Sequence, residues 1–375
     1  MSAYRTESCV LKHPEELGQA WLDLQDRADC SYFLSWGWIG TWLRQIAIKL
    51  RPVVVRVWYG EELVGLAVFV PRNIKRRIAF RASALFLHEY PFDRNNMVIE
   101  YNGLLAARGH ESAVYAEIVG HLLRDFKQYD EFHFGAITET AARTLEKVVA
   151  GKLKFRINEE SVTWQADLRG LEAVSDSYLM TLSSNARGQI RRALRLYEQR
   201  EPLQVFEAVG VNQTLEYFAR LKALHAAYWQ ARGQRGAFAN PCWETFHRDL
   251  IQSRFDKGEV QMLKVANAGE ELGYIYNHLW NKRVYMQQTG FSLPVDNRLK
   301  PGYVAHVLAV QHNRDGGMHV YDFMHGDARY KRTLSNRSEN IYWVVVQRGR
   351  IKFTLENLLL GVVRRGRRLM GAGQE

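Results

Sequence analysis

Apolar and polar residues alternate over Arg56–Val70 and again over Lys264–Leu279. Each run is interrupted by the same Gly-Glu-Glu-Leu turn, at Gly60–Leu63 and Gly269–Leu272. A period of two turns one face of a strand toward a core, and a short turn between two such runs predicts a β-hairpin. Around each hairpin the pattern changes to helical spacing. A Trp-rich helix, Trp36–Ile48, precedes the first hairpin, and a helix near Ala113–Phe126 and a strand Glu131–Phe134 ending in Gly135 follow it. Helices near Thr214–Gln230 and Cys242–Phe255 precede the second. A strand at Arg283–Phe291, a helix from about Gly302 to Asn313 and a strand Val320–Phe323 closed by Gly326 follow. Helix, antiparallel hairpin, helix, strand occurs twice, which predicts an internal duplication in an α/β chain with mixed sheets. The seam falls near Gly151–Gly170, with Val162–Asp167 as a crossing strand. That divides the chain into residues 1–165, residues 166–346 and a tail, 347–375. Ser183 or Ser184 caps the Arg-rich helix Ala186–Gln199, and Asn340–Gln347 is the last strand.

The stretch Met318–Lys331 concentrates polar chemistry at one strand end. Val320, Tyr321 and Phe323 read as buried, Gly326 breaks the strand, and Asp327 stands as the cap of a helix over Ala328–Leu334. Asp322, His325, Asp327, Tyr330 and Lys331 therefore gather at a carboxyl strand edge, where ligands bind in open α/β sheets.

With 375 residues the chain has room for two or three domains, and no apolar run nears the roughly 20 residues of a membrane span. The N-terminus lacks the plan of a signal peptide, and Cys9, Cys30 and Cys242 are too scattered for a disulfide framework, so a reduced, cytoplasmic setting is expected. Cys242, behind Asn240-Pro241 at a helix start, reads as a small buried thiol. The net charge of +11 is partly local: from Gln347 to the end, seven basic residues face Glu356 and Glu375, a surplus of +5. Leu355, Leu358, Leu359, Val362 and Val363 form a helical stripe ahead of Arg364, Arg365, Arg367 and Arg368. That tail suits either docking on the protein's own body or peripheral contact with an anionic membrane face. The balance of charge suits a ligand bearing phosphate and does not demand a nucleic-acid binder. His306, His312, His319 and His325 lack metal-site spacing, so no metal is expected, and nucleophile-elbow and phosphate-loop motifs are absent.

Three residue groups carry binding chemistry. The helix start at Gly302 offers unpaired N–H groups with Arg298 and Lys300 beside it, a setting for phosphate. Arg187, Arg191 and Arg195 lie four apart, with Arg192 adjacent, and form a basic stripe. It either binds phosphate or carboxylate groups or is a solvated face paired with Glu198. Tyr274, Tyr276 and His278 share one strand face, which either lines a cleft or is core.

These motifs together carry a resemblance: FLSWGWIGTWLRQ (Phe33–Gln45), SSNARGQIRRALR (Ser183–Arg195), YWQARGQRGAF (Tyr228–Phe238), TGF with KPGY (Thr289–Phe291, Lys300–Tyr303) and YDFMHGDARYK (Tyr321–Lys331). The second half resembles the Gcn5-related N-acetyltransferase (GNAT) fold. The whole chain resembles the double-domain acyltransferases that include CelD-type proteins and Fem-type peptidoglycan aminoacyltransferases. The resemblance implies two tandem GNAT-like domains packed around a central cleft, the first degenerate. It implies acyl-coenzyme A as co-substrate and transfer to an amine, less readily a hydroxyl, of a sugar or an envelope or exopolysaccharide precursor. In its terms Tyr330 is the acid, Lys331 offsets charge, Asp322 and Asp327 orient them, and Gln287–Gly290 supplies the oxyanion donor. Arg298, Lys300, Gly302 and Tyr303 are expected to hold the donor, Tyr228 and Arg232 match the family's acceptor side, and from their own patterns Arg187, Arg191, Tyr276 and His278 are further candidates for substrate binding. The chain departs from the family's donor loop: Arg298 stands one residue too far from Gly302, and Val304 replaces a small residue. Fem-like relatives share this departure and use aminoacyl-tRNA, which is the enzyme alternative. A non-catalytic envelope-assembly or RNA-binding protein that kept the fold is the alternative from another class.

Overall fold

The computed structural model describes residues 3–46, 50–76, 81–89, 99–171, 177–199, 201–267, 270–293 and 296–356. Along the chain these form β1 (Tyr4–Val10), α1 (Gly18–Gln25), α2 (Trp36–Gln45), β2 (Val53–Tyr59), β3 (Glu62–Lys75), β4 (Arg81–Leu87), β5 (Leu105–Ala106), α3 (Glu111–Asp125), β6 (Glu131–Thr138), α4 (Glu139–Val149) and β7 (Lys154–Asp167). There follow α5 (Ser177–Met180), α6 (Ser184–Glu198), β8 (Gln204–Glu207), α7 (Val211–Gln230), α8 (Pro241–Arg254), β9 (Val260–Ala266), β10 (Glu271–Trp280), β11 (Arg283–Phe291), α9 (Pro301–Asp315), β12 (Val320–His325), α10 (Arg329–Leu334) and β13 (Arg337–Gln347). The class is mixed α/β, as the alternating patterns predict. Two compact units divide the chain, and they interleave. The first holds residues 1–30, 46–160 and 342–375; the second holds 31–45 and 161–341.

In the first unit the strand order is β1-β2-β3-β4-β6, with β5 also on β3. The predicted hairpin is β2–β3, and Gly60 takes a φ of 58° in its turn, which costs a residue without Cβ least. β4 and β6 run parallel for only Ala84–Phe86 against Glu131–His133. His88 follows β4, also at positive φ, and is 2% exposed. The Val68 N–H donates to its Nε2 (3.1 Å), so Nδ1 carries the proton and donates to Asn102 Oδ1 (3.0 Å). Burial lowers its pKa to about 4, and the neutral ring is a fully bonded brace between β3 and the segment at Asn102. Buried Glu131 accepts from Arg76 (2.5 Å) and Gln347 (2.5 Å), and the same guanidinium bonds Glu356 (2.8 Å).

In the second unit the order is β7-β12-β11-β10-β9-β8. β10 and β11 are joined by Asn281-Lys282, both at positive φ (46° and 58°), the backbone of a two-residue hairpin turn matched to strand twist. Alternation along β10 sorts two cores. Ile275 joins Val284, Met286, Val304, Val307, Tyr321 and Phe323 on the α9 side. Tyr274 and Tyr276 join Met262, Phe218 and Leu221 on the α7 side. β11 and β12 are parallel for only Arg283–Tyr285 against Val320–Asp322, while β11 continues to Phe291 against β10. The two strands therefore splay from Met286 onward. The first unit has the same brief parallel register between β4 and β6, the structural counterpart of the repeated pattern.

Local expectations fare unevenly. Ser183 is the N-cap of α6 and accepts from the Ala186 N–H, and Asn240 caps α8 at the Cys242 N–H. Asp327 is not a cap: Ala328 takes the extended N-cap conformation one residue later, and the Asp327 side chain is 81% exposed, 3.4 Å from Arg332 Nε. Cys242 is exposed, not buried, because α8 presents its first turn to solvent. Gly269 and the tail positions Leu358–Arg368 lie outside the described residues.

Candidate active site

The splay between β11 and β12 is the feature from which the site is built. β12 ends at His325, and Met324 takes a φ of 65°, which reverses the chain toward α10. α9 bridges the two strands and begins at Pro301, whose missing N–H costs nothing at a first helical position. Gly302 and Tyr303 are then the first-turn residues whose N–H groups have no helical partner, since Val304 already donates to Lys300 O. Lys300, the N-cap, adopts a left-handed φ of 44°, and its ammonium lies 5.7 Å from the Tyr303 ring centroid.

A groove of about 350 Å³ opens against this helix start. Lys300 and Tyr303 form one wall, Arg329, Arg332 and Thr333 of α10 another, and Ser183, Asn185 and Gln189 of α6 the third. Among the described residues no carboxylate lines it. Asn185 also borders an open depression lined by Arg191, Arg192 and Arg195 of α6. Arg298, predicted beside Lys300, is instead exposed and forked onto Asp296 (Nη2–Oδ2 2.7 Å, Nε–Oδ2 2.9 Å). Arg187 turns its guanidinium to the Met180 and Leu182 carbonyls at 3.4 and 3.5 Å.

Tyr330 and Lys331 stand where the splay meets α10. The Tyr330 ring lies parallel to the imidazole of His306 (centroids 4.8 Å, 7°) and edge-on to Phe323. Burial, with a smaller contribution from the Tyr228 phenol, raises its pKa, so it remains a protonated donor at neutral pH. The Lys331 ammonium donates to the His325 carbonyl (2.6 Å) and reaches the Met324 carbonyl (3.4 Å). Its charge joins burial in holding His306 down at about 3 and His325 at about 4, both neutral. Tyr228 and Arg232 stack on each other, guanidinium to ring centroid 3.6 Å. His225, behind Tyr228 on α7, hydrogen-bonds the Thr289 carbonyl through Nδ1 (3.1 Å) and accepts from the Ala237 N–H, fixing α7 against the splayed strand.

Three predicted site residues sit elsewhere. Asp322 is fully buried and accepts from Arg283 (2.5 Å) and from the Met324 N–H (2.7 Å), which holds the turn rather than Tyr330. Successive strand residues face opposite ways, so Asp322 cannot share the face of Tyr321 and Phe323 on which Tyr330 packs. Tyr276 and His278 are fully buried on the α7 side: Tyr276 approaches His247 Nδ1 (3.3 Å) and His278 stacks on Tyr32 (4.4 Å). Residues missed are Arg329 and Arg332, three apart and so on one face of α10, and His306. The signal for His306 was a polar residue inside the apolar run Tyr303–Val310. Among the described residues no cluster of three or more His, Cys, Asp or Glu could hold a metal ion. No described helix is long and apolar enough to cross a membrane.

A splayed pair of strands bridged by a helix is the arrangement of the GNAT fold. The model of the acetyltransferase (GNAT) domain family matches residues 184–332, which contain this site. Among solved structures, FemX is similar at a TM-score of 0.59, with 10% identity over 94% of this chain and 99% of that one. The C-terminal domain of a putative lysylphosphatidylglycerol synthetase from Agrobacterium fabrum is similar at 0.53 (12% identity, 90% and 93% covered). L-PGS from Bacillus licheniformis is similar at 0.50 (12% identity, 91% and 94% covered). At such identities the likeness is one of fold. No curated protein matches the sequence.

Proposed function

We propose that the second unit transfers an acyl group from acyl-coenzyme A to an amine of a sugar or of an envelope or exopolysaccharide precursor, in the manner of CelD-type enzymes. The observation that carries this reading is the groove in which Lys300, Arg329 and Arg332 converge on the start of α9 without a carboxylate. Pyrophosphate suits that setting by charge and by the amides of Gly302 and Tyr303. Beyond the groove, the splay exposes backbone of Gln287–Gly290 to a thioester carbonyl, so N–H groups there can stabilise the oxyanion. The neutral amine nitrogen attacks the carbonyl carbon, the C–S bond breaks and the departing thiolate takes the Tyr330 proton, while the proton that the nitrogen sheds on becoming an amide passes through solvent and restores the phenol. Lys331 supplies positive charge beside the reacting centre, and Tyr228 with Arg232 presents an aromatic and cationic surface toward the acceptor.

Calorimetric titration with acetyl-, longer acyl- and free coenzyme A tests the donor. Micromolar binding that weakens in Lys300→Ala and Arg329→Ala supports the reading, whereas no binding to any of the three refutes it. One observation favours a second reading. The cations continue past the groove onto Arg191, Arg192 and Arg195, further than a compact donor needs, which suits an aminoacyl-tRNA donor. That donor would bind with an affinity that falls steeply as salt rises, and would be weakened by Arg192→Ala and Arg195→Ala.

A further inference from the structure

His306 is a buried polar group beside Tyr330 that the proposed reaction leaves unused. It is 2% exposed, and its Nδ1 has no hydrogen-bond partner among the described residues. Its ring is boxed by Phe291 of β11 (5.2 Å, edge-on), Phe323 of β12 (5.6 Å, edge-on) and Tyr330 (4.8 Å, parallel). The box thus draws one wall from each of the two strands that diverge at the splay. Phenylalanine would fill it with the same stacking and no unpaired nitrogen, which is a standing cost when buried. A residue that bears this cost among three aromatic rings is explained by a partner that arrives with the ligand.

We propose that His306 is a donor-binding residue: its neutral imidazole offers Nδ1 to an amide or carbonyl of the acyl donor lying in the splay, while its ring seats Tyr330. The inference rests on the acyl-coenzyme A reading above. It couples donor seating to the proton donor through one side chain. A bare Nδ1 accepts from a pantetheine amide N–H, and a protonated one donates to a carbonyl. Either way the imidazole must be neutral, and a protonated ring would place a second cation beside Lys331.

His306→Phe separates the two roles. It keeps the stack on Tyr330 and removes the nitrogen, so the Kd and KM for acetyl-coenzyme A should rise about tenfold, the worth of one hydrogen bond. The kcat should stay within about twofold of wild type, since Tyr330 keeps its platform. A 3-fluorotyrosine at position 330, read by ¹⁹F NMR without ligand, should keep its resonance in His306→Phe and move in His306→Ala. In wild-type protein with ¹⁵N-labelled histidine, acetyl-coenzyme A should shift the His306 Nδ1 resonance. Equal donor affinity in wild type and His306→Phe, or a fall in kcat at constant KM, overturns the inference and leaves the acyl-coenzyme A reading standing. Absence of acetyl-coenzyme A binding by the wild type overturns both.

Discussion

Tyr330 is held by its ring contacts with His306 and Phe323, and the acid role proposed for it draws on its burial. Because the phenol stays protonated through neutral pH, Tyr330→Phe should lower kcat by about 10²-fold or more with the donor KM unchanged; equal rates in a steady-state assay would remove Tyr330 from the mechanism. His88 makes a separate prediction for stability. Its folded pKa of about 4 lies below the roughly 6.5 of an unfolded chain, so its contribution is complete above that value. As pH falls from there toward 4, the unfolded state takes a proton that the folded state refuses, at about 1.4 kcal/mol per pH unit. Urea midpoints between pH 7 and pH 4.5 should fall on acidification; a flat profile would mean that the ring is charged or solvated. The residue scale is also where reading the chain went astray. Asp322 and Asp327 are close in sequence to Tyr330, but a strand's alternation sends the first to Arg283, and a cap displaced by one residue leaves the second in solvent.

Elements were far more legible. β11 spans Arg283–Phe291 as its apolar pattern dictates, and Ser183 caps α6 where a short hydroxyl precedes a helical run. Ser183→Ala should cost about 1 kcal/mol in a thermal or chemical unfolding measurement, through the lost bond to the Ala186 N–H. The splay itself left no mark in the sequence, because it depends on where a parallel pairing stops, a long-range matter that period and propensity do not encode. Gly290 is its nearest local trace. A Cβ there would lie 2.3 Å from the Leu221 carbonyl oxygen, so the glycine lets α7 pack directly on the splayed strand. Gly290→Ala should push α7 outward, destabilising the protein by about 1–3 kcal/mol and weakening the His225 bond to Thr289. A variant as stable as wild type, with unchanged histidine resonances, would contradict that packing.

At the scale of the molecule, Arg76 links two buried carboxylates in the first unit, Glu131 and Glu356. Arg76→Leu removes the cation that both carboxylates share, leaving Glu131 to Gln347 and His133, and should cost about 3–5 kcal/mol, with hydrogen exchange quickening first over residues 342–356; protection unchanged there would show that other contacts secure the segment. The α2 segment precedes the first hairpin, yet it belongs to the second unit, where Trp38 packs on Phe246 (4.8 Å). No local pattern announces that exchange, since neighbours in sequence are usually neighbours in space. The exchange also orders events on the ribosome. Synthesis runs from the N-terminus, but the first unit lacks Gln347 and Glu356 until every residue of the second has been made, while Ser31–Gln45 waits for partners some two hundred residues downstream. A chain cut short anywhere before its last strand therefore completes neither unit.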